Sequence, residues 1–252
     1  MLNLIRHPGP SDAKAPPLLI AHGLFGSARN WGVIAKRLSD SRDVIAVDMR
    51  NHAASLWAES HSYADLAADL AQVVAAEGGR MDVLGHSMGG KAAMVLALTR
   101  PQRVGRLVVA DIAPVTYAHS QSNLIAAMRA VDLSGIERRS DAGAQLEQIE
   151  PATRAFLLQS VDVEARRWML NLDVLEAEMD RIVGFPEVDG RFDGPALFLA
   201  GGESDYVRPE ARDRIRMLFP NAVQAKIPGA GHWLHAEKPR EFEAAVRAFL
   251  DA

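Results

Sequence analysis

Short apolar runs alternate with longer amphipathic stretches along most of the chain. Each run is continuous rather than alternating, which is typical of strands that helices cover on both faces. The runs predict strands over residues 18–21, 43–48, 81–86, 105–111, 195–200 and 222–227. The stretches between them place apolar residues at helical spacing, and they predict helices over 29–39, 62–77, 88–99, 209–219 and 237–250. Strands that alternate with helices of this length indicate βαβ units and a mostly parallel sheet flanked by helices.

The alternation stops between residues 116 and 190, where no strand-like run occurs. Apolar residues recur there at helical spacing, as Leu172, Leu175, Met179 and Ile182. We therefore predict an α/β core of residues 1–115 and 190–252, with a helical insert at 116–189 after the strand that ends at Asp111. The alternative is that these helices simply extend the helical layers around the sheet.

The composition of the chain excludes several classes of protein but does not identify a function. The 252 residues suit one large α/β domain, and 48% apolar residues are enough for a sizeable core. A net charge of −4 argues against nucleic acid as a main partner. The absence of cysteine excludes disulfides, thiolate catalysis and cysteine-based zinc sites. The N-terminus lacks the pattern of a signal peptide and no apolar stretch is long enough to span a membrane, so we expect a cytoplasmic protein.

The segment Gly85-His86-Ser87-Met88-Gly89 carries the first chemical signal. It has the form G-x-S-x-G, and it lies between a predicted strand and a predicted helix. A sharp turn between these elements exposes the serine as a nucleophile, and glycines let the arms of the turn pass closely. We therefore predict Ser87 as the nucleophile and the N–H of Met88 as one donor to an oxyanion.

A second pattern overlaps this motif. Residues 85–91 also read G-x-x-x-x-G-K, as in phosphate-binding loops, and the strand ending at Asp111 resembles one that holds magnesium. Such loops need Ser or Thr after the lysine, because that hydroxyl ligates the metal. Ala92 stands at this position, and the nucleotide-binding interpretation is therefore disfavoured.

A serine nucleophile needs a base, and the base needs an acid to orient it. His232 follows the last predicted strand on a glycine-rich loop, which places it well as the base; the alternative is a histidine that only packs or caps. Asp205 and Asp111 both follow strands, and both keep the order serine, acid, histidine. We favour Asp205 and keep Asp111 as the alternate acid. The other aspartate would accept backbone N–H groups in its loop.

The remaining parts of the site come from loops and from the insert. His22-Gly23-Leu24-Phe25-Gly26 follows an early strand, so the N–H of Leu24, with Phe25 as the alternative, is the expected second oxyanion donor. Apolar and aromatic residues near these motifs and in the insert are expected to line a substrate pocket; they are Phe25, Met128, Phe156, Trp168, Tyr206 and Trp233.

These motifs together resemble the α/β-hydrolase superfamily. The set comprises His22-Gly23, residues 48–52, residues 85–91 and Gly231-His232. More narrowly, residues 22–27, 85–91 and 111–114 resemble the YbfF group of small esterases among the abhydrolase-domain proteins. The resemblance implies hydrolysis of carboxylesters or acyl thioesters, no cofactor or metal, and a helical cap over the site.

The resemblance leaves the acid open. Gly202-Glu203-Ser204-Asp205-Tyr206-Val207 is similar to the superfamily pattern that carries the acid after the penultimate strand. Members of the YbfF group often lack an acid there, and this chain resembles them at Asp111.

The favoured function is hydrolysis of small-molecule acyl esters or thioesters through an acyl-enzyme on Ser87. One alternative is a non-catalytic receptor or scaffold with the same fold, which an intact set of serine, histidine and acid disfavours. The other is a carbon–carbon bond hydrolase. The sequence leaves the physiological substrate and the oligomeric state open.

Overall fold

A seven-stranded sheet forms the centre of the molecule in the computed structural model, which describes residues 1–252. The strands of the chain are β1 Leu4–His7, β2 Leu18–Ala21, β3 Val44–Val47, β4 Met81–His86, β5 Val104–Ala110, β6 Val161–Asp162, β7 Arg167–Trp168, β8 Ala196–Gly201 and β9 Ala222–Ile227. The sheet has the order β1-β3-β2-β4-β5-β8-β9, and β6 pairs with β7 separately. Within the sheet β1 is antiparallel to β3, and the other pairs are parallel. The predicted mostly parallel sheet is confirmed.

Helices cover both faces of this sheet. They are α1 Gly32–Leu38, α2 Tyr63–Ala76, α3 Met88–Thr99, α4 Ser122–Arg129, α5 Arg139–Gly143, α6 Pro151–Leu157, α7 Leu172–Ala177, α8 Met179–Val183, α9 Arg212–Leu218, α10 Leu234–Glu237 and α11 Pro239–Leu250. Successive strand side chains point to opposite faces, so Leu19 and Ala21 join the core with α2 and α3, whereas Leu18 and Ile20 join the core with α1 and α11. This division explains the continuous apolar runs. None of the helices combines the length and the hydrophobicity that a membrane span requires.

The strand β1 has no counterpart in the sequence-based prediction. It lies at the edge of the sheet and pairs only with β3, so its residues are partly exposed instead of forming a buried apolar run. A short edge strand of this kind carries too little hydrophobic signal to be separated from a loop.

The chain between β5 and β8, residues 111–195, is called here the β5–β8 segment. It contains α4 to α8, as the helical spacing of its apolar residues predicts, but also the β6–β7 hairpin. The hairpin pairs Val161 with Trp168, and its strands are too short for any periodicity to reveal them. An isolated bridge between His52 and Leu170 joins the segment to the loop after β3.

Candidate active site

Ser87 occupies a strained turn between β4 and α3. Its φ of 51° and ψ of −119° are uncommon for a residue with a side chain. The turn is held by very close backbone approaches. A Cβ atom on Gly85 would lie 2.2 Å from the carbonyl oxygen of Gly89, and one on Gly89 would lie 2.3 Å from that of Ala21. Only glycine fits at these two positions, and the close packing explains how the strain at Ser87 persists.

The imidazole of His232 lies against Ser87. It is carried by the loop after β9, and its Nε2 is 3.1 Å from the Ser87 Oγ. Its Nδ1 is 2.7 Å from Oδ2 of Asp111. Since a carboxylate only accepts hydrogen bonds, Nδ1 carries the proton and Nε2 is left as the acceptor for the serine hydroxyl. Tyr206 stacks on the imidazole with 3.9 Å between ring centroids. The arrangement has the geometry that a general base requires.

Asp111 is fully buried at the end of β5, with a φ of 50°. Its Oδ1 accepts a hydrogen bond from the N–H of Gly201 at 2.8 Å, and its Oδ2 accepts one from the hydroxyl of Ser204 in addition to His232. A buried carboxylate is tolerated only when it is hydrogen-bonded in this way. The carboxylate is therefore held in one orientation towards His232.

Asp205, the favoured acid, does not contact His232. Its side chain is 89% exposed, and its nearest charged partner is Arg208 at 3.7 Å. The loop after β8 turns so that Ser204, and not Asp205, contacts Asp111. The preference for Asp205 as the acid is thus corrected by the geometry, which brings the alternate acid Asp111 together with Ser87 and His232.

Two backbone N–H groups beside Ser87 are free to donate hydrogen bonds to a developing oxyanion. Met88 is the first residue of α3, where an N–H has no acceptor within the helix. The N–H of Leu24 has no partner, whereas that of Phe25 donates to Nε2 of His52 at 3.2 Å. Of the two expected alternatives, Leu24 is therefore the available donor.

A cavity of about 270 Å³ opens at Ser87 and His232, and 14 of its 26 lining residues are hydrophobic. Four of the predicted pocket residues line it, namely Phe25, Phe156, Tyr206 and Trp233. Met128 and Trp168 do not. The indole N–H of Trp168 donates to the carbonyl of Met128 at 2.8 Å, and both residues pack into the core that the β5–β8 segment shares with α2, α3 and one face of the sheet. Their place in the predicted lining is corrected, because these two side chains fill the shared core instead.

Sequence reasoning missed several lining residues, of which Lys91 is the most unusual. Its side chain is buried, and its Nζ donates to the carbonyls of Val183, at 2.8 Å, and Gly184 at the end of α8. The ammonium also lies 4.7 Å from the ring centroid of Tyr117. Burial lowers the pKa of Lys91 to about 7. The lysine of the phosphate-loop pattern thus ties α3 to the β5–β8 segment.

Three buried histidines form a cluster, which we call the histidine cluster, beneath the Leu24 loop. They are His22, His52 and His61, and their neighbouring ring centroids are 5.1 and 5.5 Å apart. Burial lowers their pKa values to about 4, 3 and 2, respectively. His61 contacts the Met88 Sδ at 3.2 Å, and His52 accepts from the N–H of Phe25, the residue after Leu24, so the cluster adjoins both segments that carry the predicted oxyanion donors. No group of three or more His, Asp or Glu side chains is arranged to hold a metal ion.

The buried histidines predict acid sensitivity. A histidine with a pKa near 6.5 in the unfolded chain and a lowered pKa in the folded state binds its proton preferentially when unfolded. Its stabilising contribution is complete above pH 6.5 and is lost as the pH falls towards the folded-state value. Each member of the histidine cluster should therefore lower the free energy of unfolding by about 1 kcal/mol between pH 7 and pH 5.5.

Burial also lowers the pKa of His86 well below its ordinary value, and it lowers the pKa of His235 to about 3. Both histidines therefore add to the loss of stability at low pH. Urea unfolding at pH 7 and at pH 5.5, at constant ionic strength, measures the difference. A free energy of unfolding that is the same at both values would contradict the prediction.

Comparisons with known proteins agree with this geometry. The family model described as alpha/beta hydrolase fold matches residues 16–239. The mouse sn-1-specific diacylglycerol lipase ABHD11 is 43% identical over 252 residues, which cover 95% of this chain and 82% of the mouse protein. Esterase YbfF of Escherichia coli K12 is 39% identical and covers 99% of both chains. A solved marine microorganism esterase has a TM-score of 0.92 and 37% identity, and the match covers 98% of each chain. The expected resemblance is confirmed: this chain belongs to the α/β-hydrolase family.

Proposed function

We propose that the protein is a serine hydrolase that cleaves carboxylic esters of small molecules, or acyl thioesters, through an acyl-enzyme on Ser87. The observation that carries the proposal is the unbroken contact from the Ser87 Oγ through the His232 imidazole to the buried carboxylate of Asp111. Relatives with esterase and lipase in their names support ester substrates.

The proposed reaction uses each group in turn. Nε2 of His232 takes the hydroxyl proton as Oγ of Ser87 attacks the acyl carbon, and Asp111 stabilises the resulting imidazolium. The N–H groups of Met88 and Leu24 donate to the oxyanion of the tetrahedral intermediate. The imidazolium then returns the proton to the leaving alcohol or thiol. Water, activated by the same imidazole, releases the acid from Ser87 in a second, equivalent step.

We further propose that residues 116–189 act as a cap over an acyl-binding cavity, with residues 1–115 and 190–252 as the core. Phe156 of α6 lies 5.4 Å from Trp233 of the catalytic loop, measured between ring centroids. Beside them the amide of Asn30 donates to the Gln159 Oε1 at 2.6 Å. Contacts of this kind close the cavity from above, and its mostly apolar lining suits an acyl chain.

Labelling with a fluorophosphonate probe, combined with a panel of p-nitrophenyl esters and coenzyme A thioesters of increasing acyl length, tests the function. We expect stoichiometric labelling of Ser87, located by peptide mass spectrometry, and turnover of the esters. An unlabelled protein would favour the receptor or scaffold. Labelling without turnover of any ester or thioester would favour the carbon–carbon bond hydrolase, which shares the same nucleophile and base.

A pair of truncations tests which aromatic residues set acyl-length preference. Phe156→Ala removes a ring from the cavity wall, so we expect a preference shifted towards longer chains. Trp168→Ala removes a side chain that is only 8% exposed and lies outside the cavity. It should lower the free energy of unfolding by about 3–5 kcal/mol and leave the preference unchanged. Acyl-length profiles and urea unfolding separate the two effects, and a shifted profile in Trp168→Ala would contradict this assignment.

A further inference from the structure

The loop that carries the predicted oxyanion donor is strained at Phe25. The N–H of Gly26 donates to the carbonyl of Gly23 at 3.0 Å, which closes a tight turn with Leu24 and Phe25 at its centre. Phe25 has a φ of 63°, while Leu24 is not among the residues with positive φ. This is the pattern of a type II turn, which favours glycine at the position that Phe25 occupies. A bulky residue keeps such a conformation only when its surroundings impose it.

Two side chains hold the backbone of Phe25, one through its N–H and the other through its carbonyl. Nε2 of His52 accepts a hydrogen bond from its N–H at 3.2 Å, and the hydroxyl of Ser160 donates to its carbonyl at 2.9 Å. Because a backbone N–H must donate, Nε2 of His52 is unprotonated. Nδ1 of His52 therefore carries the proton, which it donates to the carbonyl of Arg50 at 2.9 Å. The tautomer of this histidine is thus set by its two contacts.

His52 is itself firmly held. It is fully buried, and it lies between Asn51 and Ala53, whose φ values are 63° and 47°. The N–H of Ala53 donates to the carbonyl of Met169 at 2.7 Å, and His52 forms its bridge with Leu170. The imidazole therefore has little freedom to follow Phe25 if the turn changes shape. It can impose a conformation on the turn instead.

We propose that His52, assisted by Ser160, is a positioning residue for the oxyanion hole. It holds Phe25 in the left-handed conformation and so keeps the adjacent N–H of Leu24 free and in place. The inference rests on the proposed function, in which Leu24 donates to the oxyanion. Without the acceptor at Nε2, the central peptide of the turn can rotate towards a type I turn, in which Phe25 takes a negative φ. This rotation turns the Leu24 carbonyl and the Phe25 N–H each to the opposite face of the turn, so the peptide dipole next to the Leu24 N–H reverses and that donor stabilises the oxyanion less in the transition state.

Two amides at position 52 form a matched test. In His52→Gln the amide oxygen can reach the place of Nε2 and still accept from the Phe25 N–H. In His52→Asn the shorter amide can reach only the place of Nδ1, so it keeps the donor to Arg50 and loses the acceptor. We expect His52→Asn to lower kcat by about 10- to 100-fold, less than the loss of an oxyanion donor itself, and His52→Gln to stay within about threefold of wild type. KM should change little in either variant.

A boronic acid analogue of the substrate distinguishes positioning from a merely structural role. Its affinity should fall in His52→Asn by the same factor as kcat/KM, because both report binding of the tetrahedral state. Ser160→Ala removes the hydrogen bond to the carbonyl of Phe25, so it should also lower kcat/KM and the affinity for the boronic acid. It provides a second measurement if the variants at the buried His52 fold poorly. Melting temperatures of all variants control for unfolding.

The inference is overturned if His52→Gln and His52→Asn have equal kcat, or if kcat falls while the affinity for the boronic acid stays at the wild-type value. A normal kcat in both His52→Asn and Ser160→Ala would overturn it as well. Failure of the proposed function gives a different result, because the wild-type protein would then neither react with the fluorophosphonate probe nor hydrolyse esters.

Discussion

Replacing Ser87 by alanine is expected to lower kcat for ester hydrolysis by about 10⁴- to 10⁶-fold, because it removes the atom that forms the acyl-enzyme. The fold should persist. The only hydrogen bond of the Ser87 Oγ is with His232, and the turn depends on Gly85 and Gly89 instead. Fluorophosphonate labelling should disappear together with the activity.

Initial rates with an excess of ester measure the effect, and the melting temperature reports the fold. Ser140→Ala, a change at an exposed serine in α5, is the matched control and should leave both unchanged. His232→Ala should cost a factor similar to that of Ser87→Ala, and the double variant should be little worse than either, since the two residues act as a unit. A Ser87→Ala protein with a tenth of the wild-type activity would refute the nucleophile assignment.

The second large effect is expected at the acid. Asp111→Asn should lower kcat by about 10⁴-fold, because an amide at this place favours the wrong tautomer of the histidine and stabilises no imidazolium. Asp205→Asn should stay close to wild type, since the side chain of Asp205 is exposed and touches neither Ser87 nor His232. The two variants have the same change of charge and shape, so each controls for the other.

Single-turnover and steady-state rates on the same ester, with melting temperatures, decide between the two aspartates. Asp111→Asn also disturbs the hydrogen bonds from Gly201 and Ser204, so some loss of stability accompanies the loss of rate. The assignment fails if Asp205→Asn is inactive and Asp111→Asn is nearly normal. If each variant lowered kcat only about tenfold, neither carboxylate alone would orient His232, because the removal of a single orienting acid costs far more than tenfold.

Much of the framework follows from local sequence pattern. The strands β2, β3, β4, β5, β8 and β9 and the helices α2, α3 and α11 lie within about two residues of their predicted bounds. Apart from β9, a partly exposed edge strand, these elements are long or deeply buried, so their apolar pattern is strong. The turn at Ser87 is also a local matter, because its glycines and its flanking strand and helix adjoin it in the chain. For the same reason the resemblance to α/β-hydrolases is apparent from short motifs.

Where two residues were candidates for one role in the site, the tertiary structure decided between them. Asp111 and Asp205 both follow strands, and only the course of the loop after β8 places Ser204 against Asp111 and leaves Asp205 exposed. Likewise, Leu24 is left as the free donor because His52, which lies 27 residues after Phe25 in the chain, accepts the hydrogen bond from the N–H of Phe25.

Sequence by itself determined the order of the six parallel strands of the sheet and of the helices between them, the turn at Ser87 and the family, because each depends on residues that are neighbours in the chain. Tertiary structure decided which carboxylate meets His232, which N–H stays free, and whether Trp168 lines the cavity or fills the core. Those outcomes depend on packing between segments far apart in sequence. Burial and hydrogen bonding there select one of several residues of the same chemical type, which composition and spacing do not distinguish.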